Sequence, residues 1–299
     1  MRLLLHTMAT PELDPIAALD LAAELQLDGL DLICQADYRC ALPPDAPIET
    51  ARSLRAEAQR RGLVIGALTP YEKRVNHPLA RERDEAVASL VHAIDLAEAL
   101  GATSVRVFGG AEVRDDDWTI AAGRLVESLH RIAPHAAARG IGLNIENHDG
   151  TMADSAARTH ELWRRTGKEI VGIVYDPANL IRDGKEDFPA SLDLQAEAIR
   201  LVHVKDYSFI PGAERRGAVE QSRRSVPLGD GDVPWTDIIA ALAALGYDGD
   251  LTFEYEMRWV PDQLPPTRIG VARSRDFVRR ALAQAATAER TATALAKLG

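Results

Sequence analysis

The chain has 299 residues, of which 46% are hydrophobic, with a formal net charge of -10 and a pI near 5.3. The acidic balance argues against broad binding to nucleic acid or to anionic membranes. No stretch approaches the roughly 18 apolar residues of a membrane span, and the apolar run in MRLLLHTMAT is too short for a secretory signal. The two cysteines, Cys34 and Cys40, lack a metal-binding spacing, so we expect a soluble protein of the reducing cytoplasm.

Short apolar runs alternate along the chain with longer amphipathic segments. The runs predict eight strands, at 2–7, 29–34, 63–68, 104–109, 141–146, 170–176, 200–206 and 250–256. The segments between them predict helices at 15–27, 49–61, 79–100, 116–139, 153–167, 187–199 and 234–246, and a last helix at about 270–297. Glycines are expected to end four of these helices, at Gly62, Gly101, Gly140 and Gly246. Eight such units in a chain of this length predict a (β/α)₈ TIM barrel, with residues 1–299 as a single domain.

The alternative architecture is an open, doubly wound sheet. It has little support, because no G-x-G-x-x-G motif follows the first strand. The longest irregular segments, 205–233 and 256–269, both follow predicted strands and so belong to the face where barrel enzymes carry their chemistry. Within the first of them, the Arg- and Gly-rich stretch 211–226 is either a solvated loop or a lid over the barrel mouth.

Four consecutive predicted strands each end in a side chain that can bind a metal ion. Glu146 ends the fifth strand and Asp176 the sixth, while His203 and Glu254 lie near the ends of the seventh and eighth. In a closed barrel these ends converge on one mouth. The apolar neighbours of these residues fall on the opposite face of each strand, which favours an inward polar cluster over ordinary loop residues.

Three carboxylates and one imidazole in one place would repel and raise each other's pKa unless a cation joined them. This set of donor atoms suits Mn²⁺, which is the ion we expect, with Mg²⁺, Co²⁺ and Zn²⁺ as alternatives. Such an ion polarises a substrate carbonyl and acidifies the neighbouring C–H bond. Glu146 and Glu254, on different strands, are the candidates to remove and return that proton.

Each of these residues also has a purely structural interpretation. A carboxylate at a strand end often caps a helix, and Asp176 before Pro177 could cap the sixth helix in this way. A histidine within a strand is often a hydrogen-bonded core residue. The metal site remains the favoured hypothesis, because the structural interpretation has to explain four residues on four successive strands separately.

At these residues the sequence resembles the xylose isomerase-like barrel superfamily and, within it, the sugar phosphate isomerase/epimerase group. The resemblance covers nearly the whole chain and rests on the order and spacing of DGLDL, ALGATSVRVFGG, IENHDG, YDPANL, LVHVKD, PLGDGDVPW and GYDGDLTFEYE. It implies that Glu146, Asp176, His203 and Glu254 match the four metal ligands of the family. It also implies that the two glutamates match the proton-transfer pair of its ketose 3-epimerases.

Five further residues are candidate substrate contacts. The resemblance places Arg106 and Lys205 near the substrate mouth, and His148 lies beside the first ligand. From position alone, Trp259 follows the eighth strand, where its ring could stack on a sugar, and His6 ends the first strand near the same face.

Asn179 is a sixth candidate contact and a departure from the family pattern. Ketose 3-epimerases carry a histidine three residues after the aspartate of the sixth strand, where this chain has Asn179. Asparagine donates a hydrogen bond but carries no charge near neutral pH. A strict tagatose- or psicose-type 3-epimerase is therefore disfavoured.

The sequence predicts a divalent-metal-dependent isomerase or epimerase acting on a sugar or polyol ketone. The alternative is a lyase, either a dehydratase or an enzyme eliminating from 3-keto-glycosides, with the same metal and glutamate base. A non-catalytic sugar-binding barrel is a minor alternative. The DNA-repair endonucleases of the superfamily need more His and Asp ligands, whereas this chain has eight His in all and none at the end of the fourth strand. We therefore expect a small-molecule substrate and no nucleic acid or membrane partner, and leave homo-oligomer formation open.

Overall fold

A computed structural model describes residues 1–182, 187–210 and 223–296 of the chain. The strands are β1 Arg2–His6, β2 Gly29–Cys34, β3 Val64–Pro70, β4 Ser104–Val107, β5 Gly142–Glu146, β6 Val171–Tyr175, β7 Ile199–Val204, β8 Asp206–Phe209, β9 Arg223–Val226 and β10 Asp250–Phe253. The helices are α1 Pro15–Glu24, α2 Ile48–Arg60, α3 Ala80–Leu100, α4 Trp118–Ala138, α5 Ala156–Thr166, α6 Pro177–Arg182, α7 Ala190–Gln195, α8 Trp235–Ala244 and α9 Thr267–Ala296.

Eight of these strands close into one parallel barrel. Their order around the barrel is β1-β10-β7-β6-β5-β4-β3-β2, and every neighbouring pair that forms it is parallel. Helices connect the strands, as parallel pairing requires. The predicted single TIM barrel is therefore confirmed, and the open doubly wound sheet is excluded.

The segment after β7 differs from the prediction. Instead of an irregular loop, β8 and β9 form an antiparallel pair in which Asp206 lies opposite Val226 and Phe209 opposite Arg223. Residues 211–222 of the Arg- and Gly-rich stretch 211–226 lie outside the described residues, and the remainder forms β9. This hairpin begins directly after the barrel strand that carries His203, so it stands at the C-terminal face of the barrel.

The final barrel strand is shorter than its apolar pattern suggested. It ends at Phe253 rather than at residue 256. The Glu254 amide still donates to the Val204 carbonyl at 3.0 Å, but the Met257 amide turns back to the carbonyl of Tyr255 at 2.7 Å. Glu254 therefore keeps the register of the strand although it follows it.

Because side chains alternate between the two faces of each strand, the barrel has two separate buried regions. Most buried apolar side chains belong to one large cluster that takes in residues from the helices and the strands. A separate small cluster consists of Ala67, Val174 and Leu201, on β3, β6 and β7. Because side chains two apart point the same way, the inner face of the barrel continues from these residues to Thr69, Asp176 and His203.

The four predicted helix-ending glycines adopt the left-handed backbone conformation. The φ angles of Gly62, Gly101, Gly140 and Gly246 lie between 67° and 75°. Glycine is the residue that adopts this conformation at least cost, and it lets the chain leave a helix and enter a strand directly. Within the described residues, no helix combines the length and apolar character needed to cross a membrane.

Candidate active site and metal centre

A ring of polar side chains lies inside the C-terminal end of the barrel. Each of the eight barrel strands contributes one member, either from the strand or directly after it, and none is more than 4% exposed. We call this the polar ring; its members are His6, Asp31, Thr69, Arg106, Glu146, Asp176, His203 and Glu254. Burying so many polar groups is costly unless each has a partner, so the ring indicates a site rather than a core.

The four predicted metal ligands come together in this ring. One donor atom from each of Glu146, Asp176, His203 and Glu254 lies within 4.8 Å of the other three, and all four residues are buried. His203 Nδ1 lies 3.0 Å from Glu146 Oε1 and 3.1 Å from Glu254 Oε1. The expected juxtaposition is therefore present.

Two cations face the carboxylates of the cluster. Arg106 Nη1 donates to Glu146 Oε2 at 2.5 Å, and its other terminal nitrogen donates to the Pro70 carbonyl at 2.9 Å. Lys205 Nζ lies 2.6 Å from Asp176 Oδ2 and 2.5 Å from Glu254 Oε2. Buried cations of this kind favour the charged form of a carboxylate, against the effect of burial.

The pKa values of the cluster follow from burial and these cations. Burial opposes ionisation of Glu146, but Arg106 and His203 outweigh it and hold its pKa below the usual range. Burial likewise opposes ionisation of Glu254, but Lys205 and His203 outweigh it and hold the pKa of Glu254 well below normal. For Asp176 burial prevails over Lys205, with help from the two neighbouring glutamates, and raises its pKa to about 7. Both glutamates are therefore carboxylates at neutral pH, ready to accept a proton.

Asp176 caps a helix and also belongs to the cluster of converging donor atoms. Its Oδ1 accepts the backbone amide of Asn179 at 2.9 Å, which caps the short helix α6. Its Oδ2 faces Lys205 and also accepts the Asn179 side-chain amide at 2.8 Å. Asn179 further donates to the Asn147 carbonyl at 2.9 Å, so it fixes the carboxylate as well as lining the cavity.

Asp31 and Thr69 are site residues that our sequence analysis missed. Asp31 Oδ2 lies 3.3 Å from His203 Nε2, on the opposite edge of the imidazole from the two glutamates. Thr69 Oγ1 donates to Asp31 Oδ1 at 2.6 Å. The signal was present in GLDLIC, where a single carboxylate interrupts a strand that is otherwise apolar and fully buried.

A cavity of about 390 Å³ opens above the polar ring. Its lining includes Glu254, Lys205, Arg106, Asn179 and His148, with Glu256 at its side. This volume lies at the small end of the range typical of small-molecule sites, about 300–1,000 Å³. The cavity therefore suits a compact polar ligand.

An aromatic wall borders one side of the cavity. The Arg106 guanidinium lies 3.8 Å from the centroid of Phe108 and 4.8 Å from that of Tyr71. Lys73 Nζ stands 4.7 Å from the Phe108 ring, and His148 packs edge-on against it with centroids 5.1 Å apart. These contacts give Arg106 a fixed position between the ring carboxylates and the cavity.

Five of the six candidate substrate contacts line the cavity, and His6 lies below it. Trp259 is 49% exposed and lines the mouth, and His148 lines the wall with Nδ1 2.6 Å from the Asp149 carbonyl. His6 is fully buried and does not line the cavity. Its Nδ1 accepts the Met8 amide, while Nε2 points towards Glu254 Oε1 at 3.9 Å.

The donor set fits a divalent cation. Three carboxylates and one imidazole nitrogen converge in a space that a single ion can span, and no such cluster other than this one occurs among the described residues. The position of Lys205, with its ammonium group against two of the carboxylates, shows that this point requires positive charge. A divalent metal is therefore compatible with the site.

Comparison with known proteins agrees with the fold. Residues 19–281 match the family model described as "Xylose isomerase-like TIM barrel". An inosose dehydratase of Geobacillus thermodenitrificans is 28% identical over 149 residues, which are 48% of this chain and 48% of that protein. The chain spans about half the length of the curated relatives it matches.

Two solved structures share the fold over almost their whole length. The IOLI protein with a bound zinc atom superposes with a TM-score of 0.77 at 14% identity, covering 95% of this chain and 99% of that one. D-psicose 3-epimerase of Clostridium cellulolyticum H10, solved with D-tagatose, gives a TM-score of 0.74 at 16% identity, covering 94% and 99%. At these identities the likeness concerns the fold.

Proposed function

The chain belongs to the xylose isomerase-like TIM barrel family, and from this premise we propose that it is a divalent-metal-dependent isomerase or epimerase of a sugar or polyol ketone. The reaction removes a proton from the carbon beside a carbonyl and returns it to the substrate. The observation that carries the proposal is the pair Glu146 and Glu254, both buried and both ionised beneath a polar cavity.

Four residues of the polar ring would hold the ion: Glu146, Asp176, His203 and Glu254. When bound, a divalent cation, for which we propose Mn²⁺ with Mg²⁺, Co²⁺ or Zn²⁺ as alternatives, supplies the Lewis acidity that makes the C–H bond beside a carbonyl acidic. Asp176 presents its Oδ2 in a fixed direction because α6 and Asn179 hold it.

Glu254 is the proposed base. It lines the cavity, and Lys205 keeps it in the anionic form that can take a proton. Glu146 is the proposed partner that delivers or receives a proton at the second position, and Arg106 holds it ionised between turnovers. Because the two carboxylates stand on different strands, β5 and the end of β10, they can approach a substrate from different sides.

Substrate contacts are proposed for the polar residues around the base. Arg106 and Lys205 offer donors to hydroxyl or carbonyl oxygens. Asn179 offers its side-chain oxygen as an acceptor, because both of its amide hydrogens already have partners. Burial lowers the pKa of His148, so its imidazole is neutral at pH 7. Trp259 would cover an apolar sugar face at the mouth. His6 would act from beneath, as an Nε2–H donor close to Glu254.

The proposal is tested by isotope exchange and by two substitutions. Turnover in D₂O should place deuterium at a substrate carbon, and Glu146→Gln and Glu254→Gln should each abolish turnover, because an amide cannot take up the proton. Glu72→Gln is the matched control: Glu72 also follows a barrel strand and pairs with an arginine, Arg74 at 2.8 Å, but does not line the cavity. A variant of either ring glutamate that keeps near-normal kcat with metal bound would remove that residue from the mechanism.

A lyase is the second candidate, and one asymmetry favours it. Of the two glutamates only Glu254 lines the cavity, whereas Glu146 lies behind Arg106, and elimination needs only one base. The curated relative named inosose dehydratase points the same way. In this reaction Glu254 takes the proton and Lys205, also at the cavity, donates to the departing hydroxyl. Formation of a conjugated carbonyl, with absorbance that grows with turnover, distinguishes elimination from isomerisation.

The remaining expectations concern the binding partners, the location and the oligomeric state of the protein. We propose a small sugar or polyol as its partner, without nucleic acid or membrane, and a cytoplasmic location. Assembly into a homo-oligomer stays open and is checked by the mass of the purified protein in solution.

A further inference from the structure

We infer that Asp31, held by Thr69, is the positioning residue that makes Nδ1 the cation-binding nitrogen of His203. The inference rests on the metal site proposed above and concerns a carboxylate to which that proposal gives no role. Asp31 is fully buried on β2, on the far side of the barrel axis from the chain segment of His203. Of the four proposed ligands, the described contacts join it to His203.

The two edges of the His203 ring have different partners. Nδ1 lies 3.0 Å from Glu146 Oε1 and 3.1 Å from Glu254 Oε1, so it faces the other proposed ligands. Nε2 lies 3.3 Å from Asp31 Oδ2. A nitrogen that binds a cation must offer a lone pair, so the ring proton has to sit on Nε2, where Asp31 accepts it.

Asp31 is oriented for this contact and unsuited to be a ligand. The Thr69 hydroxyl donates to Oδ1 at 2.6 Å, which leaves Oδ2 for His203. The imidazole stands between Asp31 and the cluster, and Asp31 is not a member of the group of converging donor atoms. The carboxylate therefore acts on the ion only through the ring, by fixing its tautomer and raising the basicity of Nδ1.

Among the described residues, no lysine or arginine forms an ion pair with Asp31. Each of the other ring carboxylates pairs with Arg106 or Lys205, and Glu146 and Glu254 pair with His203 as well, whereas the ion pair of Asp31 is with His203. A buried carboxylate without a lysine or arginine partner is expensive for stability alone. The presence of Asp31 is explained if it holds the ring proton of His203 on Nε2, because the lone pair of Nδ1 is then available to the ion.

The test is the affinity for Mn²⁺ alone, measured by competition with a fluorescent chelator at fixed pH. Asp31→Asn keeps the shape of the side chain and removes its charge, and we expect its Kd for Mn²⁺ to rise about 10–100-fold, as for other carboxylates behind a metal-bound histidine. Asp250→Asn is the matched control: a buried strand aspartate in an ion pair with Arg2, at the opposite end of the barrel. Its Kd should equal that of the wild type.

A second measurement needs no variant. In the wild-type protein loaded with Zn²⁺, ¹⁵N–¹H correlation spectra should show the proton of His203 on Nε2 and none on Nδ1. A proton on Nδ1, or an unchanged Mn²⁺ affinity in Asp31→Asn, would overturn the inference while leaving the proposed function intact. If the wild-type chain binds neither ion, the metal site and this inference both fail.

Discussion

Lys205 supplies positive charge at the point where two buried carboxylates approach each other. Its ammonium group is 2.6 Å from Asp176 and 2.5 Å from Glu254, and the two carboxylates raise its pKa well above normal despite its burial. A divalent ion bound to the same carboxylates would supply charge of the same sign. Lys205 and the proposed ion would therefore both offset the charge of the same two carboxylates.

Removal of this ammonium group should therefore harm the metal-free protein most. For Lys205→Met we expect the free energy of unfolding in EDTA to fall by about 3–5 kcal/mol, because two buried carboxylates lose their nearest cation. Saturating Mn²⁺ should recover most of that loss, as measured by urea unfolding with and without the ion.

Lys168→Met provides the control for that experiment. Lys168 pairs with Glu197 at 2.7 Å, but both side chains are more than half exposed, and such surface pairs contribute about 0–1 kcal/mol. Equal losses for Lys205→Met in EDTA and in Mn²⁺ would contradict charge sharing between the lysine and the ion.

At the scale of elements, Asp206 organises the loop between β9 and α8. Its carboxylate accepts the backbone amides of Gly229, Gly231 and Val233 at 2.9, 3.1 and 3.2 Å. A side chain at Gly231 would collide with the Asp206 carboxylate and come within 2.6 Å of the Tyr207 carbonyl oxygen. The loop can therefore approach the β8–β9 hairpin only with glycine at this position.

Two glycine-to-alanine substitutions should act in opposite directions. Gly231→Ala should lower the free energy of unfolding by about 1–3 kcal/mol, since the loop must move off its anchor. Gly123→Ala, in the exposed part of α4 where an added Cβ meets nothing within 4 Å, should raise it by about 0.5–1 kcal/mol. Thermal and urea unfolding measure both, and a neutral Gly231→Ala would show that the loop is not anchored in this way.

The barrel strands could be predicted because both of their faces are buried, which leaves continuous apolar runs in the sequence. The β8–β9 pair could not, since RRSV is neither apolar nor alternating and becomes a strand only through its pairing with β8. The pattern of apolar residues did not predict α6, although Asp176 was considered as a helix cap, because α6 has six residues, fewer than two helical turns.

The four proposed ligands were predictable for a geometric reason. Parallel strands in a closed barrel bring their C-terminal ends together, so order along the chain already implies proximity. Asp31 and Thr69 required coordinates, because alternation tells which residues point inward but not which of them meet across the barrel. Only the structure shows that Asp31 reaches the far edge of His203.

For the whole molecule, the proposed ion would link four strands of the barrel, β5, β6, β7 and β10, through residues in or next to them. A ligand that binds only the folded chain stabilises it, by roughly 2.7 kcal/mol at a free concentration 100 times Kd. We expect the Tm to rise by roughly 5–10 °C under that condition, at about 2–4 °C per kcal/mol for a chain of this size.

Differential scanning fluorimetry in EDTA and in graded Mn²⁺ measures this shift. His203→Gln is the comparison variant, since it removes one of the four converging donor atoms, and its shift should be much smaller. A wild-type Tm that does not depend on Mn²⁺, or an equal shift in the variant, would contradict the proposed centre.

Arg106 and Lys205 also bear on the order of folding and metal binding. Because Arg106 and Lys205 form ion pairs with Glu146, Asp176 and Glu254, the chain would not need the proposed metal in order to fold. Synthesis and metal loading would then be independent steps, and the ion acquired would be set by which divalent metal the cell supplies at that moment. The same barrel would therefore carry different metals in different growth conditions without any change in its sequence.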